Sequence, residues 1–520
     1  MLICVTGIDQ SLELQMAHII QPFIEDARIE FIMTQEVSLH IDLTINVGEH
    51  TIETKAELFD MTEEKRYEKT LYVENQDNLS DKDRKKLIKR TLSRALLQVL
   101  ESYTGFEQPW GTLTGIRPTK LMHQKERQKV KMEQAKLELQ EEFLITTDKA
   151  ELMQKIVERQ LQAVPDLYQL RKEVSIYIGI PFCPTKCAYC TFPAYSIQGR
   201  QGSVDSFLGG LHYEMQMIGK WLKQQGMAIT TVYFGGGTPT SITAEEMNDL
   251  YEEMVQSFPD VESIREITVE AGRPDTITPE KIEVLKKYKI DRISINPQSY
   301  NQETLEAIGR HHTVEETIEK YKLARQMGID NINMDLIIGL PGEGMAEFNH
   351  TLQETEKLMP ESLTVHTLSF KRASEMTKNK SKYKVADREE VAWMMKEAER
   401  WTLEKGYVPY YLYRQKNILG NLENVGYSKP GKESIYNIMI MEEVQTIIGL
   451  GCGASSKFIH PETGKITRFA NPKEPRAYND AFMKYTEDKI KLLDEHFASV
   501  PGKPQNSDKN LTSNGVISNI

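Results

Sequence analysis

Residues 177–195 read YIGIPFCPTKCAYCTFPAY. The opening residues finish a run, VSIYIGI, with the length and β-branched composition of a buried strand. Cys183, Cys187 and Cys190 follow it at once, spaced C-x3-C-x2-C. Cysteine thiolates are the usual ligands of iron–sulfur clusters. A loop this short can wrap one cubane and supply three thiolates. One iron of a [4Fe–4S] cluster then lacks a protein ligand and can take the amino and carboxylate groups of S-adenosylmethionine (SAM). The competing reading is structural zinc. Zinc knuckles show paired cysteines and a fourth Cys or His at suitable spacing, and no such pair is present here, His311 and His312 being distant in sequence. Cys4 and Cys452 read as small buried residues.

Working outward, residues 171–372 alternate strand-like runs with helical stretches. The runs are VSIYIGI, ITTVYF, EITVE, RISIN, NINMDLI and SLTVHTL. Thr243 with Glu246 and Thr313 with Glu316 have capping-box spacing, and Thr278–Pro279 is a cap followed by proline at the first helical position. Such repeats imply parallel strands joined by right-handed crossovers. Six are short of a closed eight-fold barrel, so the expected class is α/β: an open, partial (β/α)6 barrel. Barrel chemistry sits at the strand C-terminal ends. There, VYFGGGTPT (232–240) carries Gly235, Gly236 and Gly237, which let backbone approach a ligand closely. Glu270 ends the third strand, Gln298 follows the fourth and Asp335 lies in the fifth. Together they form a plausible polar ring for the amino acid and ribose of SAM.

The rest divides by pattern. Residues 1–105 alternate like half-buried strands, then run into a basic helix, capped by Asp81 or Ser80 and stopped by Gly105: a small α+β domain. Residues 106–170 open with WGTLTGIRPTKL and continue as charged helix, expected to be a solvated connector. Residues 373–495 form a mixed, helical C-terminal domain expected to cover the substrate. It holds a helix started by Asp387 and Glu390 and stopped at Gly406, the aromatic VPYYLYRQKN, and the glycine-rich IIGLGCGASS. Residues 496–520 are polar and expected to be a disordered tail.

Composition narrows the function classes. A net charge of −12 over 520 residues argues against a chain held on nucleic acid by bulk electrostatics. The N-terminus lacks the basic flank and apolar core of a signal peptide, and no run is long enough to span a bilayer. Five cysteines, an odd number with three inside eight residues, point to metal in a reducing cytoplasm.

On these motifs the chain resembles the oxygen-independent coproporphyrinogen III oxidases (coproporphyrinogen dehydrogenases) and their haem-chaperone relatives, most of all the HemZ-type group, over about residues 172–480. The resemblance implies cluster ligation by Cys183, Cys187 and Cys190. It implies SAM contacts from Tyr177, Tyr189, Gly236, Gly237, Thr238, Glu270, Gln298, Arg310 and Asp335, a backbone contact near Ser369, and a further approach through Ser455. It assigns no catalytic side chain. It implies one or two SAM molecules, a flavodoxin-type or other reductant, a monomer, and coproporphyrinogen III or haem as the partner molecule. The implied reaction oxidatively decarboxylates two propionates to vinyl groups. Two departures stand out: Phe192 where oxidases often carry a further cysteine, and Gly179 in place of the usual histidine. The porphyrinogen's carboxylates need cations, for which Arg310, Lys371, Arg372, Arg414 and Lys416 are candidates, and Tyr410, Tyr411 and Tyr413 can wall the macrocycle. The alternatives are a haem-binding chaperone without oxidase activity and, more remotely, a tRNA-modifying radical enzyme.

Overall fold

The computed structural model describes residues 1–24, 27–32, 37–76, 79–192, 194–197, 203–370, 374–379, 383–415, 418–460 and 463–497. Lys371, Arg372, Lys416 and residues 498–520 lie outside these residues. The expected tail from residue 496 is corrected at its start: His496 and the buried Phe497 close the last helix, Pro475–Phe497.

The N-terminal module is a mixed sheet of β1 (Leu2–Thr6), β2 (Arg28–Glu30), β3 (Leu39–Val47), β4 (Thr51–Asp60) and β5 (Lys65–Glu74), in the order β2-β1-β3-β4-β5. Helices α1 (Gln10–Ile20) and α2 (Asp81–Thr104) pack on it. Ser80 caps α2 by accepting from the Asp83 N–H, and Gly105 ends it in the left-handed region, which costs glycine no Cβ clash. Ile3, Val5, Leu39, Ile41 and Leu58 meet Leu92, Leu96 and Leu100 of α2 in a core of the module's own.

Residues 106–170 correct the expectation of a solvated connector. Helices α3 (Thr119–Arg127), α4 (Met132–Phe143) and α5 (Thr147–Ala163) send Met122, Leu139, Met153, Ile156 and Val157 into the main core. Their charges are spent on the C-terminal segment: Lys149 pairs with Glu423, Arg159 with Glu433, and Arg117 and Lys120 with Glu443. The buried Trp110 donates through Nε1 to Glu423 at 2.8 Å.

The barrel strands are β6 (Glu173–Ile180), β9 (Ala228–Gly236), β10 (Glu266–Glu270), β11 (Arg292–Ser294), β12 (Ile332–Ile338) and β13 (Ser362–Thr367), neighbouring in that order and parallel throughout. Between the first two, β7 (Phe182–Cys183) and β8 (Tyr195–Ser196) pair across the neck of the cysteine loop. The crossovers are α6 (Val204–Gln225), α7 (Ala244–Ser257), α8 (Pro279–Lys287), α9 (Gln302–Ala307) with α10 (Val314–Gln326), and α11 (Met345–Leu358). The capping box at Thr243 is complete. At Thr313 the Glu316 N–H donates to Thr313 Oγ1 at 3.0 Å.

After α12 (Glu375–Lys378) and α13 (Arg388–Glu404), the C-terminal segment joins both edges of this sheet. Antiparallel β14 (Val408–Tyr413) and β15 (Asn424–Ser428) extend it beyond β13. α14 (Ile435–Glu442) leads into β16 (Thr446–Gly451), which lies parallel to β6, and β17 (Ser455–Ile459) and β18 (Ile466–Ala470) continue from there to α15 (Pro475–Phe497). The open (β/α)6 barrel thus sits within an eleven-stranded sheet.

Strand periodicity decides what fills it. Successive side chains face opposite sides of a strand. One set, including Ile176, Ile178, Val232, Phe234, Val269, Ile293, Met334, Leu336 and Val365, lies in the apolar core beneath the helices. The other set runs in register as Ser175–Thr231, Tyr177–Tyr233, Glu270–Ser294, Asp335–Thr364 and Ile337–His366. The lumen is therefore largely polar, in contrast to the packed aliphatic layers of closed (β/α)8 barrels.

Candidate functional site

The cysteine loop lies across the strand C-terminal ends. Ala188 N–H donates to the Ile308 carbonyl (2.9 Å), Met376 N–H to Ala188 (3.1 Å) and Cys190 N–H to Cys187 (3.1 Å). Cys183, Cys187 and Cys190 are half-buried and outside any disulfide, and Cys183 Sγ stands 3.3 Å from Thr238 Oγ1. Burial pushes the Cys183 thiol up to about 11; the neighbouring Cys190 and Cys187 charges add to this and the Thr238 contact opposes it. Three thiolates so placed need a cation to be stable together, and an iron–sulfur cluster provides one.

Below the loop, Glu270 accepts from Tyr233 at 2.6 Å. Burial raises its carboxyl to about 7, against the Tyr233 hydrogen bond and with help from the Asp335 charge. Asp335 accepts from Asn296 and Asn333, both at 2.9 Å, with His366 Nε2 3.6 Å away and Tyr413 on the far side of that ring. Burial works to raise Asp335 too, but His366, Asn333 and Thr364 hold it below the usual range. Gln298 has a left-handed backbone, φ 68°, fixed by N–H donation to the Asp335 carbonyl (2.9 Å) and acceptance from Ile337. Its side-chain Oε1 is buried with no partner among the described residues, an acceptor suited to a ligand donor.

Gly235 is the glycine that faces the lumen. A Cβ there would meet the Tyr233 and Tyr177 rings and a Glu270 carboxylate oxygen at 3.0–3.1 Å, so its absence leaves a cradle. Gly236 and Gly237 instead press on residues 180–182: the Gly237 and Thr238 N–H groups donate to Ile180 and Phe182 at 2.7 Å. Tyr177 stacks with Tyr233 (6.2 Å) and Tyr436 (6.3 Å), and those two stack at 4.4 Å. Thiols, orphan acceptor and cradle fit an iron–sulfur cluster and SAM.

The other sequence candidates are placed as follows. Arg310, 2% exposed, donates to Tyr189 Oη (3.3 Å) and the Gly272 carbonyl (2.5 Å), tying the loop to β10. Ser369 follows β13 in a bridge with Ile418. Ser455 is exposed and opens β17, its backbone against Gly449, the register partner of Tyr177. Gly179 is required by packing, since a Cβ would lie 2.7 Å from the Cys452 carbonyl. Phe192 is exposed two residues beyond Cys190. Arg414 is corrected: it is buried, donating to Leu113 and Asn421 and lying over Trp110, so its charge is structural. Tyr411 meets Thr364 at 3.0 Å and stacks on Tyr413, while Tyr410 packs against the α5 end. Sequence reasoning missed Tyr233, Asn296 and His366, whose signal was strand alternation, and Tyr436, which had none.

Fold and site together define a radical SAM protein, and residues 177–355 match the family model of the Radical SAM superfamily. The chain is 71% identical over 420 residues to the Bacillus subtilis (strain 168) oxygen-independent coproporphyrinogen-III oxidase-like protein HemZ, covering 81% of this chain and 84% of that one. It belongs to this HemZ-type family of coproporphyrinogen-III oxidase-like radical SAM proteins. It is also 27% identical over 328 residues to the heme chaperone HemW of Escherichia coli (strain K12), covering 62% and 80% of the two chains. The solved structure of E. coli coproporphyrinogen III oxidase (HemN) aligns with 63% of this chain and 72% of that one at 21% identity, TM-score 0.49. Superfamily membership implies a [4Fe–4S] cluster and SAM. Among the described residues no helix is long and apolar enough to cross a membrane.

Proposed function

We propose that the protein oxidatively decarboxylates two propionate side chains of coproporphyrinogen III to vinyl groups, giving protoporphyrinogen IX. What supports this most is the polar lumen, with Glu270, Gln298 and Asp335 below a three-cysteine loop, in a chain so close to an oxidase-like relative. Cys183, Cys187 and Cys190 hold the cluster. Glu270, the Gln298 Oε1 and Asp335, with its Asn296 and His366 neighbours, would take the hydrogen-bond donors of SAM, and Tyr177 would form part of its wall. With cluster and SAM bound, the chemistry supplied is one-electron cleavage of the sulfonium to a carbon radical that abstracts hydrogen from the propionate β-carbon. The chain's task is to orient that carbon and to keep water and stray hydrogen donors away. The test is an anaerobic assay with reconstituted enzyme, reductant, SAM and coproporphyrinogen III, with cell extract as a source of electron acceptor. Two successive losses of a formic-acid equivalent, together with 5′-deoxyadenosine, are expected.

A second reading, haem carriage, is favoured by one observation: Phe192 is exposed where a further cysteine is expected of an oxidase, and heme chaperones are among the relatives. An intact substrate in the assay, with stoichiometric haem binding, would select it.

A further inference from the structure

The loop between the cluster cysteines is held by two buried arginines, one for each half. Arg310 takes the Cys187–Cys190 half through Tyr189. Arg273, 4% exposed, takes the Cys183–Cys187 half: its Nη1 donates to Thr185 Oγ1 at 2.8 Å and to the Thr185 carbonyl at 3.4 Å. The other side of the same guanidinium forks onto Asp275 at 3.0 and 2.9 Å. Arg273 follows the Ala271–Gly272 turn beyond Glu270, and the Gly272 carbonyl is the one that Arg310 grips. Thr185 also leans on the Gly309 carbonyl at 3.5 Å, beside Arg310. One short segment after β10 thus braces both halves of the loop.

We propose that Arg273 is a positioning residue for the cluster. It holds the Cys183–Cys187 half of the loop in its ligand-presenting shape and, with Arg310, keeps fixed positive charge on the protein side of that loop. The proposal rests on the assignment of Cys183, Cys187 and Cys190 as cluster ligands. Asp275 orients the guanidinium, as a bidentate carboxylate does. Lysine cannot replace it, because a single ammonium has no fork to span Asp275 and Thr185. His312, 1% exposed and without a partner on either ring nitrogen among the described residues, adds no charge here: burial, then Arg310 and Arg273, push it down to about 3. Nearby charge and hydrogen bonding are the terms that set a cluster's potential.

The experiment compares reconstituted wild type with Arg273→Gln, Arg273→Lys and Thr185→Val. It measures iron and sulfide per chain, the rate of iron loss to a chelator, and the cluster midpoint potential by EPR-monitored titration. Arg273→Gln is expected to lose iron about tenfold faster, the effect of one charge-assisted hydrogen bond, and to shift the midpoint negative. Arg273→Lys should lose iron faster with a midpoint close to wild type. Thr185→Val, which removes the shorter of the two Arg273–Thr185 contacts from the half-exposed side, should lose iron faster whether or not the arginine variants fold. Wild-type iron retention in Thr185→Val, or wild-type retention and midpoint in a folded Arg273→Gln, would overturn the proposal. A Cys183→Ala control that keeps a full cluster would instead overturn the ligand assignment beneath it.

Discussion

Tyr233 donates its phenolic hydrogen to Glu270 across 2.6 Å, inside a lumen that otherwise offers this carboxylate little solvation. Glu270 still titrates near 7, because burial and the Asp335 charge outweigh the hydrogen bond. The folded protein therefore holds a proton between about pH 4.5 and 7 that the unfolded chain releases. Without SAM, stability should fall as pH rises through that window, by about 3 kcal/mol in all. Urea unfolding from pH 4.5 to 8 is expected to show a decline in wild type that Glu270→Gln lacks. Parallel profiles would remove Glu270 as the titrating group.

Each of Cys183→Ala, Cys187→Ala and Cys190→Ala is expected to abolish cluster assembly, measured as iron, sulfide and the charge-transfer absorption. Cys452→Ala and Cys4→Ala are the controls. Cys452 is buried, its thiol donating to Pro472 (3.3 Å) and Lys473 (3.2 Å). Cys4 sits in the first strand of the N-terminal module. Both variants should assemble a full cluster, with stability losses of about 1 kcal/mol.

Gly235→Ala puts a methyl into the cradle formed by Tyr177, Tyr233 and Glu270. Its N- and C-terminal neighbours on β9 keep their core contacts, so the fold and cluster should survive. Affinity for SAM is expected to fall at least about tenfold, the cost of roughly 1.4 kcal/mol of steric and desolvation penalty. Equilibrium binding of SAM to the reconstituted variant reads this directly. Unchanged affinity would place SAM away from the glycine.

The legible parts of this protein were the local ones. Three cysteines within eight residues, a strand before them and capped helices after them need no distant partner to be understood. The polar lumen was also written in the strands, since Ser175, Tyr177 and Gly179 alternate with Ile176, Ile178 and Ile180. Reading the runs as simply apolar hid it. The buried face of α5 was present as well, with Met153, Ile156, Val157 and Gln160 at helical spacing. Its charges drew attention instead. What had no local signal was pairing across hundreds of residues: Trp110 with Glu423, Arg414 with Leu113, Tyr436 with Tyr233. An arginine in a strand-end sequence looks the same whether it will face a substrate or an indole ring.

Those long-range pairings separate the two halves of the N-terminal extension. Residues 1–105 have a core of their own, whereas residues 106–170 supply Trp110, Leu139, Met153 and Ile156 to the barrel's core. A chain lacking 1–105 is expected to fold and assemble the cluster. A chain lacking 1–170 should expose the apolar faces of β14 and α14 and aggregate. Expression with iron analysis and circular dichroism tests both, and a soluble, cluster-bearing 171–520 fragment would contradict the assignment.

A buried charge pair anchors β16. Glu214 of α6 and Lys489 of α15 are both fully buried and paired, and Lys489 also donates to the Gly449 carbonyl. Glu214 further accepts from Gly451 N–H (2.7 Å), Tyr478 Oη (2.8 Å) and Asn471 Nδ2 (2.9 Å). One carboxylate thus fixes the end of β16, whose turn then presses the Cys452 carbonyl onto Gly179 beside the cysteine loop. Removing one charge leaves the other desolvated and unpaired. Lys489→Met is therefore expected to cost about 3–5 kcal/mol, and the double variant Glu214→Gln/Lys489→Met less than that. Urea unfolding of the single and double variants measures both. The order matters more than either value: a double variant no more stable than Lys489→Met would mean that an unpaired Glu214 charge is not what the single variant costs, its carboxylate being satisfied by Gly451, Tyr478 and Asn471 without the lysine.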